Sequence, residues 1–455
     1  MVLIINKNRK QMKKFIITVA LLLPILVIGQ SQDRNYVKST SYQQPVDEGQ
    51  EDNLDASQKI ESISYVDGLG RPIQSIAVGA GGEGQNIISY VEYDGLGRTP
   101  KQYLPYATQT AVINPLDFVD QEALKIAIEA FYATPKYEDT QNPYSEMVYE
   151  NSPLNRIVKQ GAPGNSWAVA QDDTDHTIKF EYANNQVNEV RYFDVTFSGG
   201  NTQNPSLVLS GYYLGRELYK SVTKDENWTP TSGNNHTTEE FTNKSGQVLL
   251  KRTYENNSAH DTYYVYDDYG NLTFVLSPEG SEKIVTGDVL SANALQILDD
   301  VCYQYKYDYR NRLIEKKIPA KGWEYIVYNL LDQPILTQDA NQRSKSPKEW
   351  LFTKYDVFGR VAYTGIKRAN IGRATFQSIV NNSDGEEQYE MMSSNPETIE
   401  GTQIYYTNTR TPSVFESGDQ ILTVNYYDTY TDLGGYNLPL SVYGQNITQN
   451  TQGLP

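Results

Sequence analysis

The sequence predicts a mainly β protein, an array of β-hairpins with two or three short accessory helices. Three observations carry that prediction: a turn motif that recurs along the chain, alternating apolar and polar residues on either side of it, and 37 tyrosines in 455 residues. Tyrosine is a strand former whose ring packs while its hydroxyl stays available to water or a neighbour.

The motif is seen most plainly as Asp67-Gly-Leu-Gly70-Arg71 and, 27 residues later, Tyr93-Asp94-Gly-Leu-Gly97-Arg98. Looser copies follow at Tyr266-Asp267-Asp-Tyr-Gly270-Asn271, Tyr307-Asp308-Tyr-Arg-Asn311-Arg312 and Tyr355-Asp356-Val-Phe-Gly359-Arg360. Two more are degraded, Tyr149-Glu150 with Asn155-Arg156, and Tyr328-Asn329 with Asp332-Gln333. From Tyr307 to Tyr328 to Tyr355 the steps are 21 and 27 residues, the period of an array and not of a single site.

Turn chemistry accounts for the recurrence. The aspartate is expected to accept hydrogen bonds from backbone N–H groups two or three residues on. Glycine three residues after it supplies the left-handed conformation that a short hairpin loop needs. Asn311 fills that slot in one copy, and asparagine is the next-best residue for it. Flanking stretches such as Ile87–Tyr93 and Leu272–Leu276 read as the strands, so each unit is strand, turn, strand. The arginine is expected to pair with carboxylates of an adjacent unit.

Two segments read as helices. Asp120–Tyr132 has an N-cap aspartate and Ala/Glu/Leu content and ends before Pro135, and Ser291–Val301 is similar. Both are expected to cover a sheet edge or end. Segments 160–176, 197–206 and 228–238 are polar, Asn/Gly/Pro-rich loops. The chain divides into residues 1–30, an extended polar leader at 31–60, the repeat region at 61–365, and a continuing β region with weaker repeat signal at 366–455.

Hydrophobic residues make up 38%, below the roughly 45–50% of a typical globular chain, a benchmark that counts glycine. Disordered chains are poor in aromatics, so the tyrosine content argues for order. The net charge is −17, and residues 1–30 hold five basic and no acidic residues, so the remainder carries −22. Such a surface repels polyanions, and nucleic acid is not an expected partner. A single cysteine, Cys302, excludes an internal disulfide and a cysteine-based zinc site and reads as a core residue.

Lys13-Lys14 precede the 14-residue apolar run Phe15–Ile28, and Gly29-Gln30-Ser31 follow. That order is the layout of a secretory signal peptide, with Met12 an equally good start site. The run contains Pro24 and is short of the ~20 residues that span a bilayer. No cysteine follows it, so no lipid tether is expected there. The chain is expected to be exported by the general secretory (Sec) route, secreted or held at the cell surface.

Other motifs favour plain readings. Gly79-Ala-Gly-Gly-Glu-Gly84 matches the dinucleotide pattern, but a strand follows it where phosphate binding needs a helix, so it reads as a hairpin connection. Asp172, Asp173 and Asp175 could meet a calcium ion but lack the glycine and bidentate glutamate of a calcium loop. His176 and His260-Asp261 come with no nucleophile motif. Asp94 and Arg98 resemble an acid–base pair, yet catalytic groups occur once and architectural ones repeat. No catalytic residue, cofactor or metal is expected.

The ordered set resembles the tyrosine–aspartate (YD) repeats of bacterial RHS proteins and the related shell of teneurins. Val66–Pro72, Tyr144–Gly161 with Ser152-Pro-Leu-Asn-Arg156, Asn188–Tyr192 and Tyr303–Gly322 are similar to the N-terminal region of Bacteroidetes RHS proteins, a domain of unknown function. The resemblance implies a long strand spiralling into a hollow shell around a C-terminal effector, often a toxin, released by an aspartyl self-cleavage near the shell's end. This chain stops at Pro455 without that core or an effector, so it is expected to be a fragment or truncated product, and no catalytic residue is carried over. Its expected role is a non-catalytic shell segment of an exported protein, with the downstream core and effector as partners. The alternative is a glycan-binding or adhesion module that uses tyrosine-rich sheet faces.

Overall fold

The computed structural model describes residues 34–43, 46, 49, 54, 58–108, 118–284, 291–383, 387–399, 401–410, 412, 418–427, 441–442 and 445–446. Residues 1–30, expected to be an export signal, lie outside the described residues. The protein is mainly β, its sheets built from antiparallel pairs, with few helices. It divides into two units, Met1–Glu181 with Val222–Thr237, and Tyr182–Ser221 with Thr238–Pro455.

In the first unit β1 (Asn35–Tyr42), β2 (Lys59–Val66), β3 (Pro72–Val78), β4 (Ile87–Tyr90) and β6 (Tyr106–Ala107) form one sheet in that order, with β5 (Lys101–Tyr103) outside it. The stretch expected as a polar leader thus supplies β1, which runs antiparallel to β2 from Asn35 opposite Val66 to Tyr42 opposite Lys59. Alternation along β2 buries Ile63 and Tyr65. Helix α1 (Gln121–Tyr132) starts where the Asp120 carboxylate accepts the N–H groups of Glu122 and Ala123. Its Leu124 and Ile128 share one core with Ile63, Tyr65, Ile76 and Tyr90, so the helix packs on this sheet. β5 pairs with β7 (Tyr144–Tyr149), then come β8 (Ile157–Gly161) and β9 (Ile178–Asn184).

In the second unit β10 (Arg191–Phe197) pairs with β11 (Pro205–Tyr212), and β12 (Tyr219–Lys224) follows. A long meander then runs through β13 (Thr237–Thr242), β14 (Val248–Glu255), β15 (Ser258–Tyr266), β16 (Leu272–Leu276), β17 (Tyr303–Tyr307), β18 (Leu313–Ile318), β19 (Gly322–Tyr328), β20 (Pro334–Gln338), β21 (Glu349–Tyr355) and β22 (Val361–Arg368). Each strand is antiparallel to the next. Short helices α2 (Pro278–Lys283), α3 (Ala292–Val301) and α4 (Ala340–Ser344) interrupt the meander, and α5 (Arg373–Asn381) follows it. β23 (Met392–Ile399) and β24 (Thr402–Tyr406) form a hairpin, and β25 (Gln420–Val424) pairs with β22.

Both expected helices are present, α3 capped by Ser291, and three short ones join them. Two of the three carry signals in the sequence: Ser277-Pro278 gives α2 its cap and N1 proline, and Asp339 with Gln342 forms a capping box for α4. Ile297 and Leu298 of α3 join Cys302, Phe274 and Leu276 in one core, so α3 covers a sheet face. Cys302 is buried there, and burial pushes its thiol up to about 11. A second core gathers Trp350, Phe352 and Tyr363 of β21 and β22 with Phe376 of α5 and Tyr406.

Candidate functional site: the repeating turn and its tyrosine ladder

Apart from the longer Glu150 copy, each repeat closes as the same five-residue turn. Asp308 N–H donates to the Arg312 carbonyl at 3.0 Å, and Asn311 N–H returns to the Asp308 carbonyl at 2.9 Å. Oδ1 of Asp308 accepts the N–H groups of Arg310 at 2.9 Å and Arg312 at 3.0 Å. Its Oδ2 takes the Arg312 Nε at 2.8 Å. The carboxylate therefore serves N–H groups two and four residues on, correcting the expected offset of two or three. The same pattern holds at Asp67 with Arg71, Asp94 with Arg98, Asp267 with Asn271, and Asp356 with Arg360.

The fourth residue of these five turns is left-handed: Gly70 and Gly97 at φ 78°, Gly270 at 82°, Asn311 at 58° and Gly359 at 76°. Main-chain donors set the electrostatics. The Arg71 and Arg98 N–H groups, followed by the guanidinium groups, hold Asp67 and Asp94 below the usual carboxylate range. In the longer Glu150 turn, hydrogen bonds from Arg156 and then Ser152 bring the glutamate down to about 2.

The arginines correct a second expectation. Each is bound first by the aspartate of its own turn, four residues back, because that carboxylate is already fixed beside it. Contact with the next unit is secondary and mostly aromatic. The Arg71 guanidinium lies 4.2 Å from the Tyr93 ring centre, Arg98 4.5 Å from Tyr149, Arg312 4.8 Å from Tyr328, and Arg360 4.2 Å from Tyr427. Arg312 also reaches a carboxylate of the next turn, Asp332 at 2.7 Å.

Tyrosine links the units. A register shift precedes each tyrosine-motif turn of the meander and leaves the motif tyrosine opposite the first residue after the turn: Tyr266 with Leu272, Tyr307 with Leu313, Tyr328 with Pro334, and Tyr355 with Val361. The next tyrosine along then donates its hydroxyl to that same residue's carbonyl. Tyr307 bonds Leu272 at 2.9 Å, Tyr328 bonds Leu313 at 2.8 Å, Tyr355 bonds Pro334 at 2.9 Å, and Tyr427 bonds Val361 at 3.1 Å. In the first unit Tyr93 bonds Pro72 at 3.0 Å. Burial raises the phenols of Tyr328 and Tyr355 and pushes Tyr307 up to about 12, which keeps those three in the donor form.

Two members were not singled out from the sequence. Asn243 builds the same turn, its Oδ1 accepting from Ser245 and Gln247 at 3.0 Å each, with Gly246 at φ 81°. It escaped because Thr242-Asn243 replaces the tyrosine–aspartate pair. Tyr427 escaped although Asp428 follows it, a signal that was there to be read.

The remaining candidates are held in local bonding. Asp175 binds Lys179 at 2.7 Å, Thr177 at 2.7 Å and the Ala170 N–H at 2.7 Å, and Asp173 pairs with Lys159 at 2.5 Å. These partners depress Asp175 against the cost of its burial. Among the described residues no His/Cys/Asp/Glu cluster could hold a metal ion. His176 Nδ1 lies 3.0 Å from the Glu226 carbonyl, and His260 lies 3.8 Å from Glu282. Asp261 is taken by Arg252 at 2.6 Å. Gly79–Gly84 joins β3 to β4, with a strand after it.

Residues 38–180 match the model of a family described as Domain of unknown function (DUF6443). No curated protein sequence matches the chain. Similar solved structures include the crystal structure of TcdB2-TccC3, 14% identical with a TM-score of 0.42 over 68% of this chain and 13% of that one. The TcdB2-TccC3-Cdc42 structure is 15% identical, TM-score 0.43, over 70% and 13%. The TcdB2-TccC3-TEV structure is 13% identical, TM-score 0.42, over 79% and 15%, so the chain spans only a small part of the proteins it matches. The family match over residues 38–180, with the repeating turns, fits an RHS-related domain.

Proposed function

We propose that this chain is a non-catalytic structural segment of an exported YD-repeat protein of the RHS type, contributing wall to a shell that encloses a C-terminal effector. The observation that supports it is the tyrosine ladder: the residues that recur are spent on joining one hairpin to the next. A motif used four times in succession in one meander, with its ionisable groups bound internally, has the economy of architecture. Teneurin-like shells and Bacteroidetes RHS N-termini remain the resemblance behind this reading, and the downstream core and effector are its proposed partners.

The test is to sequence the gene beyond codon 455, express the complete product, and digest it with protease. The reading expects an RHS core followed by a variable domain that resists cleavage while attached. A stop codon at that point, with the chain purifying as a free-standing protein, would overturn the shell role.

A further inference from the structure

The first unit carries a cleft of about 530 Å³ that the repeat architecture does not use. Its walls are the end of α1, the 3-10 turn Pro135–Tyr137 and the loop 163–167. That volume lies within the ~300–1,000 Å³ typical of small-molecule sites. Three rings line it: Tyr132 and Tyr137, whose centres are 4.9 Å apart, and Trp167, which is 39% exposed. Lys136, Glu138 and Asn165 supply its polar rim.

The backbone at this rim is strained. Glu138 and Asp139 stand at φ 56° and 50°, successive left-handed residues that carry a Cβ. Asn165 enforces the shape, its Oδ1 accepting the Gln141 N–H at 2.7 Å and its Nδ2 donating to the Asp139 carbonyl at 3.2 Å. On the other wall the Trp167 N–H bonds the Gly164 carbonyl at 2.9 Å, and Gly164 is itself at φ 113°. A Cβ on Gly164 would meet the indole at 3.2 Å, so the glycine gives the ring its place. Glu138 is exposed and, among the described residues, in no salt bridge; Lys136 rests 5.2 Å from the Tyr137 ring centre.

We propose that this cleft binds a neutral saccharide, with a pyranose ring stacked on Trp167 and its hydroxyls met by Glu138 and Lys136. An open aromatic wall suits the C–H face of a sugar, and one acceptor beside one donor suits hydroxyls, which both give and take hydrogen bonds. The net charge of −17 argues against an anionic glycan. The site is distinct from the sheet faces, where motif tyrosines such as Tyr93 are engaged in joining units.

The full chain is titrated with maltohexaose, cellohexaose and chitohexaose, followed by saturation-transfer NMR and tryptophan fluorescence. At least one is expected to bind saturably, with affinity falling about tenfold in Trp167→Ala and unchanged in Trp228→Ala. Glu138→Gly guards against misfolding: glycine relieves the left-handed strain, so this variant should be no less stable than the parent and still lose about tenfold in affinity. Saturation by none of the three sugars, or binding that survives both Trp167→Ala and Glu138→Gly, would overturn the site.

Discussion

The hydroxyl of Tyr307 donates at 2.9 Å to the main-chain carbonyl of Leu272, 35 residues earlier in the chain. Leu272 is the strand partner of Tyr266, the tyrosine of the preceding motif, so the bond couples two turns. Tyr328, Tyr355 and Tyr427 repeat the relation one step further each time. The pairing of tyrosine with aspartate follows from two jobs in adjacent positions: aspartate closes its own turn, and tyrosine ties that turn to the one before.

Tyr307→Phe removes this tie while leaving the ring in place. The loss should be about 0.5–1.5 kcal/mol, the net worth of one hydrogen bond, read as a lower urea midpoint with unchanged m-value. A variant as stable as the parent would show that ring packing alone joins the units.

The left-handed slot should be the most sensitive point of each turn. Gly97→Val places a β-branched side chain at φ 78° and should cost about 1–3 kcal/mol. Asn311→Gly should stay within ~0.5 kcal/mol of the parent, because glycine suits φ 58° and only an exposed contact with Asn271 is lost. The comparison has its own control, since equal damage from both changes would mean that side-chain contacts, and not backbone conformation, decide the turn.

Acid should weaken the first unit. Asp67, Asp94 and Glu150 all have folded values below their unfolded ones, 3.8 for the aspartates and 4.5 for the glutamate. Their contribution is therefore complete above the unfolded values and lost as pH falls toward the folded ones. The urea midpoint should hold down to about pH 5 and then decline toward pH 2, and Glu150→Gln should flatten part of that decline. The same slope in Glu150→Gln as in the parent would remove Glu150 from the account.

How far the fold was legible follows from how local each interaction is. Asp308, Asn311 and Arg312 lie within five residues, so turn chemistry placed them correctly. That same locality explains the misassigned arginine: the carboxylate four residues back was always nearer than any across a strand gap. The acceptor of the Tyr307 hydroxyl is a backbone carbonyl fixed by strand register, and no residue type in the sequence advertises it. The Trp167 cleft depends on Asn165 meeting Asp139 across 26 residues, a juxtaposition no motif announces.

Export can be tested apart from the shell. The basic start, the 14-residue apolar run and the small-polar exit should direct the chain through the general secretory route, with cleavage near Gly29–Ser31. Replacing Leu21, Leu22 and Leu23 with aspartates should trap the precursor in the cytoplasm. N-terminal sequencing decides between signal and anchor: an intact Met1 or Met12 on membrane-bound protein would refute a cleaved signal.

The last prediction concerns a buried ion pair in the second unit. Lys354 on β21 lies 2.7 Å from Glu390, with the two side chains 3% and 1% exposed. Burial lowers the Lys354 pKa even with that carboxylate beside it. Glu390 also accepts Thr407 Oγ1 at 2.7 Å and the N–H groups of Thr409 and Arg410 at 3.3 Å, so it gathers the segment after β24 onto the sheet. Its own N–H bonds the Tyr355 carbonyl at 2.7 Å, next to the Asp356 turn. Lys354→Met should thus strand a buried carboxylate and cost about 3–5 kcal/mol. Adding Glu390→Gln removes the unpaired charge while keeping an acceptor for those N–H groups, and should recover a substantial part of the loss. A urea double-mutant cycle measures the coupling. If Lys354→Met costs less than ~1 kcal/mol, water reaches the pair and it does not hold the segment.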